Sequence, residues 1–236
     1  MTKPRPIDPR SLLSGIALFE GFTARDLESL LALTTIKRLK PGQLLCRKGD
    51  PGVQLFGVLT GRLRVVSEGS EGKEVILSFV GPGEVIGDIA LIDTQPRSAT
   101  VEAIEPSELV CLHRRDLLPF LHQNPKAAIQ LAVGLARRVR VLSGVVEDAL
   151  LLAIPARLAK KLLALAQTYG KPAPGGTRIE LRLPQHQLGE MIGATRESVN
   201  KTLRGWVDQG AIAVDRGYVT IKDSARLEAA VRLSVD

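Results

Sequence analysis

The sequence predicts an α+β fold: an N-terminal antiparallel β-roll, then a long dimerisation helix, then a C-terminal winged helix-turn-helix. Short apolar runs punctuated by glycine occupy residues from about 35 to 114, and a helical period of small and apolar residues follows them. Two short helices joined by a tight turn are indicated within residues 184–206. We therefore predict three segments, at residues 1–124, 125–153 and 154–236.

The N-terminal end of the chain is predicted to contain one short helix. Residues 1–10 are rich in proline and are expected to form a loose arm. Thr23 opens a capping sequence ahead of Leu27, Leu30 and Leu31, whose spacing places them on one helical face. We expect this helix to precede the β-roll.

The β-roll is predicted from short segments rich in Val, Leu and Ile that glycines separate. These residue types favour strands, and glycine supplies the backbone freedom that tight turns need. Several strands at this spacing predict an antiparallel sandwich or roll. The clearest segments are residues 55–59, 63–66, 75–80, 100–104 and 108–112, and the glycines are Gly42, Gly49, Gly61, Gly69, Gly72, Gly81 and Gly83.

A long helix is predicted from about Pro125 to Ala153, because small and apolar residues recur there in alternating steps of four and three. Such a heptad period is typical of a helix that pairs with a second copy of itself. The alternative is a single helix packed on its own sheet; we favour pairing because the stripe is narrow and long. The stripe, called the seam below, consists of Ala128, Ala132, Leu135, Val139, Leu142, Val146, Ala149 and Ala153, and Arg137, Arg138 and Arg140 lie mostly off it.

Three further elements are predicted between the long helix and the helix-turn-helix. Pro155 marks a boundary, after which helix resumes from Arg157 to Tyr169. The residues 170–176 are rich in glycine and proline and are predicted to form a loop. Residues 178–183 alternate between polar and apolar side chains, which predicts a short strand with one solvent-exposed face.

The helix-turn-helix is the sharpest pattern in the sequence. Its first helix runs from Pro184 to Ile192, with proline at a position that the first helical turn tolerates. A Gly-Ala turn follows, and Thr195 is a good N-cap for the second helix. The second helix is amphipathic: Val199, Thr202, Leu203 and Trp206 share one face, and Arg196, Glu197, Asn200, Lys201 and Arg204 occupy the other.

The polar face of the second helix suits a DNA major groove. Arg196 can donate two hydrogen bonds to a guanine, and Glu197 can accept one from a cytosine amino group. Residues 211–214 and 218–221 flank a turn and predict a β-hairpin wing. An ordinary solvated helix is the alternative; the turn, the cap, the wing and the basic charge together favour DNA. The candidate DNA contacts are Gln185, Thr195, Arg196, Glu197, Ser198, Asn200, Lys201 and Arg216.

The charge of the chain is uneven and supports a polyanionic partner. The formal net charge is +7, and residues 155–236 hold 13 Lys and Arg against 8 Asp and Glu. Positive charge concentrated in the C-terminal third indicates double-stranded nucleic acid. Aromatic residues make up only 3% of the chain, so stacking on single strands is not expected.

Several other classes of protein are not favoured. The chain has two cysteines without metal-type spacing, so no disulfide framework is expected and the ligands are too few for an iron–sulfur cluster. This cysteine usage predicts a reducing cytoplasm as the location. None of the three histidines, His113, His122 and His186, stands out as a haem or metal ligand. The most apolar run, residues 149–156, is too short to span a membrane. The sequence has no P-loop, nucleophile elbow or nucleophile–base pair, so we do not expect an enzyme.

Residues 192–199 of the C-terminal part have the sequence Ile-Gly-Ala-Thr-Arg-Glu-Ser-Val. Through these residues the chain resembles the CRP/FNR family of bacterial transcription regulators, and the resemblance extends from about Leu18 to Ile221. It implies that Arg196 and Glu197 read bases and that Lys201 stands where the family has a further basic reader. It also implies a homodimer on a palindromic operator with TGTGA-like half-sites, and RNA polymerase as a partner. Lysine cannot fork onto guanine as arginine does, so the inner operator positions stay open.

In the N-terminal part the resemblance rests on residues 72–74, 87–91 and 96–100. These residues resemble the phosphate-binding cassette of the family and imply a cyclic-nucleotide-binding β-roll. A cyclic phosphate needs a fixed cation and small hydroxyl donors, and Arg97 and Ser98 can supply them. The cassette residues expected at the ligand are Gly87 and Asp88 at the ribose, with Ile89, Ala90, Arg97 and Ser98.

Two departures from the family pattern leave the effector open. Asp88 replaces the usual glutamate, and Leu142 with Ser143 stands where adenine-contacting Thr and Ser are expected. The Leu142 side chain cannot form a hydrogen bond with a base, whereas the hydroxyl groups of Ser143 and Ser78 can. Cyclic AMP is the first choice, cyclic GMP the second, and a cyclic dinucleotide stays possible. A ligand-independent regulator of this family is another alternative, and a nucleotide-binding regulatory subunit without DNA binding is the alternative from a different class.

The expected mechanism is a population shift. A nucleotide bound between the roll and the long helix would favour one packing of the seam near Leu142 and Ser143. A hinge around Ile154 and Pro155 would then set two recognition helices one DNA turn apart, roughly 34 Å.

Overall fold

The computed structural model describes residues 23–69 and 74–232, and these divide into two compact units with a boundary between Val139 and Arg140. The expected arm at residues 1–10 lies outside the described residues, as do Gly72 and Lys73 of the cassette. Within the described residues, no helix is long and apolar enough to cross a membrane.

The N-terminal unit begins with the predicted short helix. Helix α1 is Ala24–Leu31, and the amide of Leu27 donates to the carbonyl of Thr23 at 3.1 Å. Leu27 and Leu30 are buried, as their spacing predicts. This helix is therefore confirmed, with its apolar face packed on the roll through the cluster that contains Leu55 and Leu112.

The β-roll consists of two antiparallel sheets of four strands each. The strands are β1 Thr34–Leu39, β2 Leu44–Cys46, β3 Gln54–Thr60, β4 Leu63–Glu68, β5 Glu74–Val80, β6 Val85–Ile86, β7 Thr100–Ala103 and β8 Ser107–His113. Their orders in the two sheets are β1-β8-β3-β6 and β2-β7-β4-β5. All five predicted strand segments are confirmed. Three strands were missed, because β2 and β6 are very short and β1 consists mainly of polar residues.

Three helices complete the N-terminal unit and start the next one. The predicted long helix is confirmed and ends two residues before the expected Ala153. It buries Ala127 and Leu131 against the roll, in one core cluster with Leu117. The helices are α2 Asp88–Asp93, α3 Arg114–Gln123 and α4 Pro125–Leu151, the last of which runs through the boundary between the units.

The C-terminal unit is a winged helix-turn-helix. Its recognition helix and its two-stranded wing have the predicted positions, and the first helix of the motif starts one residue later than expected, with Pro184 as its N-cap. The elements are α5 Ile154–Tyr169, β9 Gly170–Ala173, β10 Gly176–Ile179, α6 Gln185–Ile192, α7 Arg196–Asp208, β11 Ile212–Asp215, β12 Tyr218–Ile221 and α8 Ser224–Arg232.

Two predictions in this unit were wrong. The expected loop at residues 170–176 contains strand β9, which tolerates Pro172 because it lies at the edge of the sheet β11-β12-β10-β9. The strand expected at residues 178–183 ends at Ile179. The burial of residues 180–183 still alternates, although the amide of Leu183 donates to the carbonyl of Gly217 in the wing at 2.6 Å and not to a strand ladder.

Gly189 permits the close contact between α6 and the turn that follows it. A methyl group on Gly189 would lie 2.5 Å from the carbonyl oxygen of Ala194. Gly189→Ala is therefore expected to destabilise the C-terminal unit by about 1–3 kcal/mol, the usual cost of overpacking. Gly205→Ala in α7 is the matched control, since nothing lies within 4 Å of its added methyl group, and it should stabilise by about 0.5–1 kcal/mol through helix propensity. Thermal unfolding of both variants checks the opposite signs, and equal shifts would contradict the contact.

Candidate nucleic-acid interface and ligand site

The start of the recognition helix α7 is fixed by its predicted cap. Gly193 ends α6 in the left-handed conformation with φ of 64°, which glycine adopts without strain. The Thr195 hydroxyl then accepts a hydrogen bond from the Ser198 amide at 3.2 Å. The two side-chain hydroxyls also lie 2.9 Å apart. This local network orients the first turn of α7, where the candidate base readers lie.

Helix α7 separates an apolar face from a polar one, as predicted. Val199, Leu203 and Trp206 are buried, and Arg196, Glu197, Lys201 and Arg204 are exposed. Asn200 is half-buried, and its amide oxygen accepts a hydrogen bond from Nε2 of Gln185 at 3.3 Å. This contact holds the first turn of α6 against α7, so Gln185 and Asn200 have a structural partner in each other.

The wing presents Arg216 at its tip. Asp215 pairs with Tyr218, so Arg216 and Gly217 form a two-residue turn. Their φ angles of 48° and 86° are typical of the type I′ turn that matches strand twist. Arg216 is exposed and carries its charge at the outermost point of the hairpin.

A groove of about 670 Å³ separates the recognition helix from the wing. Arg196 and Arg216 line it, as do Arg182 and His186, which were not among the predicted DNA contacts. Arg182 packs against Gly217 at the wing turn. The signal for Arg182 in the sequence is its exposed position in the alternating segment that leads into α6. Two exposed arginines on the wing side and Arg196 on the helix side give the groove the charge that a phosphate backbone needs.

In the N-terminal unit, Arg97 is brought against Gly87. The Arg97 guanidinium donates from Nη1 to the Gly87 carbonyl at 3.2 Å and from Nη2 to the Gln54 carbonyl at 2.6 Å. Its Cζ lies 5.3 Å from the centre of the Phe56 ring. Gly87 has φ of 87°, and a side chain there would collide with the guanidinium. Among the described residues no carboxylate pairs with Arg97, although the residue is only 6% exposed.

Asp88 forms an ion pair with Arg138, a residue that was expected only to lie off the seam. Both carboxylate oxygens of Asp88 accept from Nη1 of Arg138 in α4 at 2.6 Å, and Nη2 of Arg138 donates to the Val85 carbonyl at 2.9 Å. Asp88 is buried, and the Arg138 side chain is 42% exposed. The ion pair therefore connects the first turn of α2 to the long helix within the N-terminal unit.

Within the described part of the chain, no side-chain hydrogen bond joins the remaining candidate ligand residues to Arg97 or Asp88. Ser98 follows Arg97 and is exposed, Ile89 is exposed, and Ala90 is buried. Ser78 is exposed on β5. Leu142 and Ser143 are exposed on the part of α4 that belongs to the C-terminal unit.

The roll contains two free thiols: Cys111 is buried in the core, and Cys46 is partly buried and packs against the same core. Burial raises the pKa of the Cys46 thiol, and the nearby Arg97 charge lowers it by less. Burial likewise raises the pKa of the Cys111 thiol. Both side chains are therefore protonated near neutral pH and pack as small apolar groups in the core beside Phe56.

Comparison with known proteins agrees with both halves of this geometry. The family model described as cyclic nucleotide-binding domain matches residues 36–124, and that described as Crp-like helix-turn-helix domain matches residues 156–230. The CRP-like cAMP-activated global transcriptional regulator of Mycobacterium tuberculosis is 30% identical over 221 residues, which cover 92% of this chain and 96% of that protein. The chain belongs to the CRP/FNR family of transcription regulators. It is thus a DNA-binding regulator with a cyclic-nucleotide-binding domain and not an enzyme, and the alternative of a nucleotide-binding subunit without DNA binding is wrong.

Other relatives of this CRP/FNR regulator span nearly the same length. The cyclic AMP receptor protein of Thermus thermophilus is 29% identical and covers 92% of this chain and 97% of that protein. Among solved structures, the c-di-GMP responsive global regulator CLP of Xanthomonas campestris has a TM-score of 0.74 at 23% identity, covering 84% of this chain and 99% of that one. At that identity the likeness shows the fold alone.

Proposed function

We propose that this CRP/FNR regulator is a homodimer that binds a cyclic nucleotide in its β-roll and a palindromic operator through its two recognition helices. The nucleotide phosphate is bound by Arg97 and Ser98, and the ribose by Asp88 beside Gly87. Arg196, Glu197 and Lys201 read TGTGA-like half-sites. RNA polymerase is the expected further partner, as the resemblance to the family implies.

The observation that carries the nucleotide proposal is the environment of Arg97. A buried cation is costly unless an anion or several hydrogen bonds compensate it. Arg97 is held by two backbone carbonyls and by the face of Phe56, and within the described residues no carboxylate neutralises it. Such a guanidinium is oriented for an anionic ligand, and a phosphate accepts its parallel N–H donors with matching geometry.

The environment of Asp88 supports a ribose contact that depends on Arg138. The ion pair orients the Asp88 carboxylate, whose oxygens can accept a further hydrogen bond from a sugar hydroxyl. Arg138 thereby joins the proposed site as a positioning residue.

Cyclic AMP is the proposed effector, with cyclic GMP second. Two relatives at 29–30% identity are named for cyclic AMP, which favours that nucleotide. The Xanthomonas regulator is described as responsive to c-di-GMP, so a cyclic dinucleotide is included among the effectors to be tested. Leu142 at an expected adenine contact weakens the preference for one purine, since its side chain offers no hydrogen bond.

Isothermal titration of the intact protein with cyclic AMP, cyclic GMP and cyclic di-GMP tests the effector. We expect cyclic AMP to bind with the lowest Kd. Binding of cyclic GMP or cyclic di-GMP in its place would reassign the effector. Absence of binding by all three would contradict the proposed function and leave the ligand-independent alternative.

The dimer is supported by the seam on α4. Val139, Leu142 and Val146 recur at heptad spacing, and each is more than half exposed in one copy of the chain. A stripe of apolar side chains with this period packs best on an identical helix, because knobs from one copy enter holes in the other.

Leu142→Glu is expected to convert the dimer to monomer. Each copy loses the burial of one leucine, about 1.5–3 kcal/mol, so the dimer Kd should rise about 100-fold or more. Val141→Glu is the matched control, because Val141 is 68% exposed and lies off the seam. Sedimentation equilibrium measures both, and an unchanged dimer Kd for Leu142→Glu would contradict the seam.

A further inference from the structure

A salt bridge spans the junction between the long helix and the DNA-binding domain. Asp148 lies in the last turn of α4, and Lys160 lies in the second turn of α5. Nζ of Lys160 lies 2.7 Å from Oδ1 of Asp148. Only Leu152 and Ala153 separate the two helices, so the side chains meet across the link. All of these residues belong to the C-terminal unit.

The position of Asp148 is unfavourable unless Lys160 compensates it. The C-terminal end of a helix carries partial negative charge, and a carboxylate there is repelled. The last turn of α4 contains no basic residue. The side chain of Asp148 is only 25% exposed, and that of Lys160 is 52% exposed. The compensating cation is therefore supplied from the next helix and not from α4 itself.

The backbone hydrogen bonds next to the link each lie at the end of one helix, and neither joins one helix to the other. The Leu152 amide donates to the Asp148 carbonyl at 3.0 Å and extends α4, whereas the Arg157 amide donates to the Ala153 carbonyl at 3.1 Å and starts α5. Neither bond fixes the angle between the two helices. The Asp148–Lys160 bridge is a contact that does depend on this angle, because its two charges lie on opposite sides of the link.

We propose that Asp148 and Lys160 form a brace that holds α5, and with it the helix-turn-helix, at one angle to the end of α4. Both are positioning residues, since neither lies on the recognition helix or on the wing. The inference rests on the proposed function and on the expected mechanism, in which a hinge around Ile154 and Pro155, directly after this link, sets the spacing of the recognition helices. A partly exposed ion pair of this kind shifts a two-state equilibrium by up to about fivefold, which is enough to tune the share of molecules competent for operator binding.

The test is a double-mutant cycle of Asp148→Lys, Lys160→Asp and the double variant that exchanges the two charges. A cycle cancels the effect that each substitution has on its own helix. Hydrogen exchange is measured in peptides that cover residues 149–158 of the full-length protein, without nucleotide or DNA. Glu147→Lys controls for charge next to Asp148, and Lys171→Asp controls for charge on the same unit; both residues are exposed.

We expect each single variant to speed exchange in these peptides by about two- to fivefold, and the double variant to return to the wild-type rate. The controls should leave the rate unchanged. If the effects of the two single variants simply multiply in the double variant, the brace is overturned. Because this readout needs neither nucleotide nor operator, it distinguishes failure of the brace from failure of the proposed function. Operator affinity is measured in parallel. It should fall in each single variant, in which exchange is faster, and return to the wild-type value in the double variant.

Discussion

Arg196→Ala is expected to abolish sequence preference in DNA binding while nucleotide binding is unchanged. Arg196 is exposed in the first turn of α7, where the Thr195 cap orients the helix, and it lines the groove that faces the wing. A bidentate arginine–guanine contact is worth about 1–3 kcal/mol of discrimination, or roughly 5- to 150-fold for each half-site. A palindromic operator has two half-sites, so the dimer should lose this discrimination at each of them. The affinity for non-operator DNA should change little, because phosphate contacts provide it.

The measurement compares the Kd for an operator duplex with that for a scrambled duplex at one salt concentration. Arg232→Ala is the control, because Arg232 is an exposed arginine at the end of α8 with a side chain that is 70% exposed. The control should keep the wild-type ratio of the two Kd values. A wild-type ratio for Arg196→Ala would contradict the assignment of α7 as the base-reading helix.

The second large effect is expected for Arg97→Ala, which should remove the nucleotide response. Hydrogen bonds from a charged donor contribute about 1.5–3 kcal/mol each, so loss of the guanidinium should raise the nucleotide Kd about 100-fold or more. The variant should keep weak, salt-sensitive DNA binding that nucleotide no longer changes. Arg97→Lys should give an intermediate Kd, because the charge remains but the planar fork is lost.

Titration calorimetry and thermal unfolding together check the Arg97 prediction. Arg115→Ala is the control, since its side chain is 80% exposed on α3. A folded Arg97→Ala protein that binds nucleotide with wild-type affinity would show that the phosphate binds elsewhere.

The sequence predicted most of the DNA-binding half because its determinants are local. The Thr195 cap, the left-handed Gly193 and the heptad-like burial of Val199, Leu203 and Trp206 depend on neighbours within one or two helical turns. The same holds for the wing, where Arg216 and Gly217 lie between two short strands of alternating pattern. Strand β9 was missed because its glycine and proline content is typical of a loop, and only its pairing with β10 makes it a strand.

The candidate ligand site was predicted less completely because its contacts are distant in sequence. Arg97 and Gly87 could be selected as candidates, but the carbonyl of Gln54, 43 residues away, also holds the guanidinium. Arg138 was missed because its partner Asp88 is 50 residues away and on a different element. Arg138 lies off the seam of α4, and the heptad period gives no signal for residues off the seam. Arg182 was missed for a similar reason, since the wing turn that it packs against lies far along the chain.

The most direct test of the central claim is the operator Kd of the intact protein, measured by fluorescence anisotropy at fixed salt with and without saturating cyclic nucleotide. The proposed function predicts that the bound nucleotide tightens operator binding at least about tenfold, as typical coupling energies of 1–3 kcal/mol allow, and leaves scrambled DNA nearly unaffected. An operator Kd that stays the same when calorimetry shows the nucleotide bound, or equal affinity for both duplexes under all conditions, would contradict it.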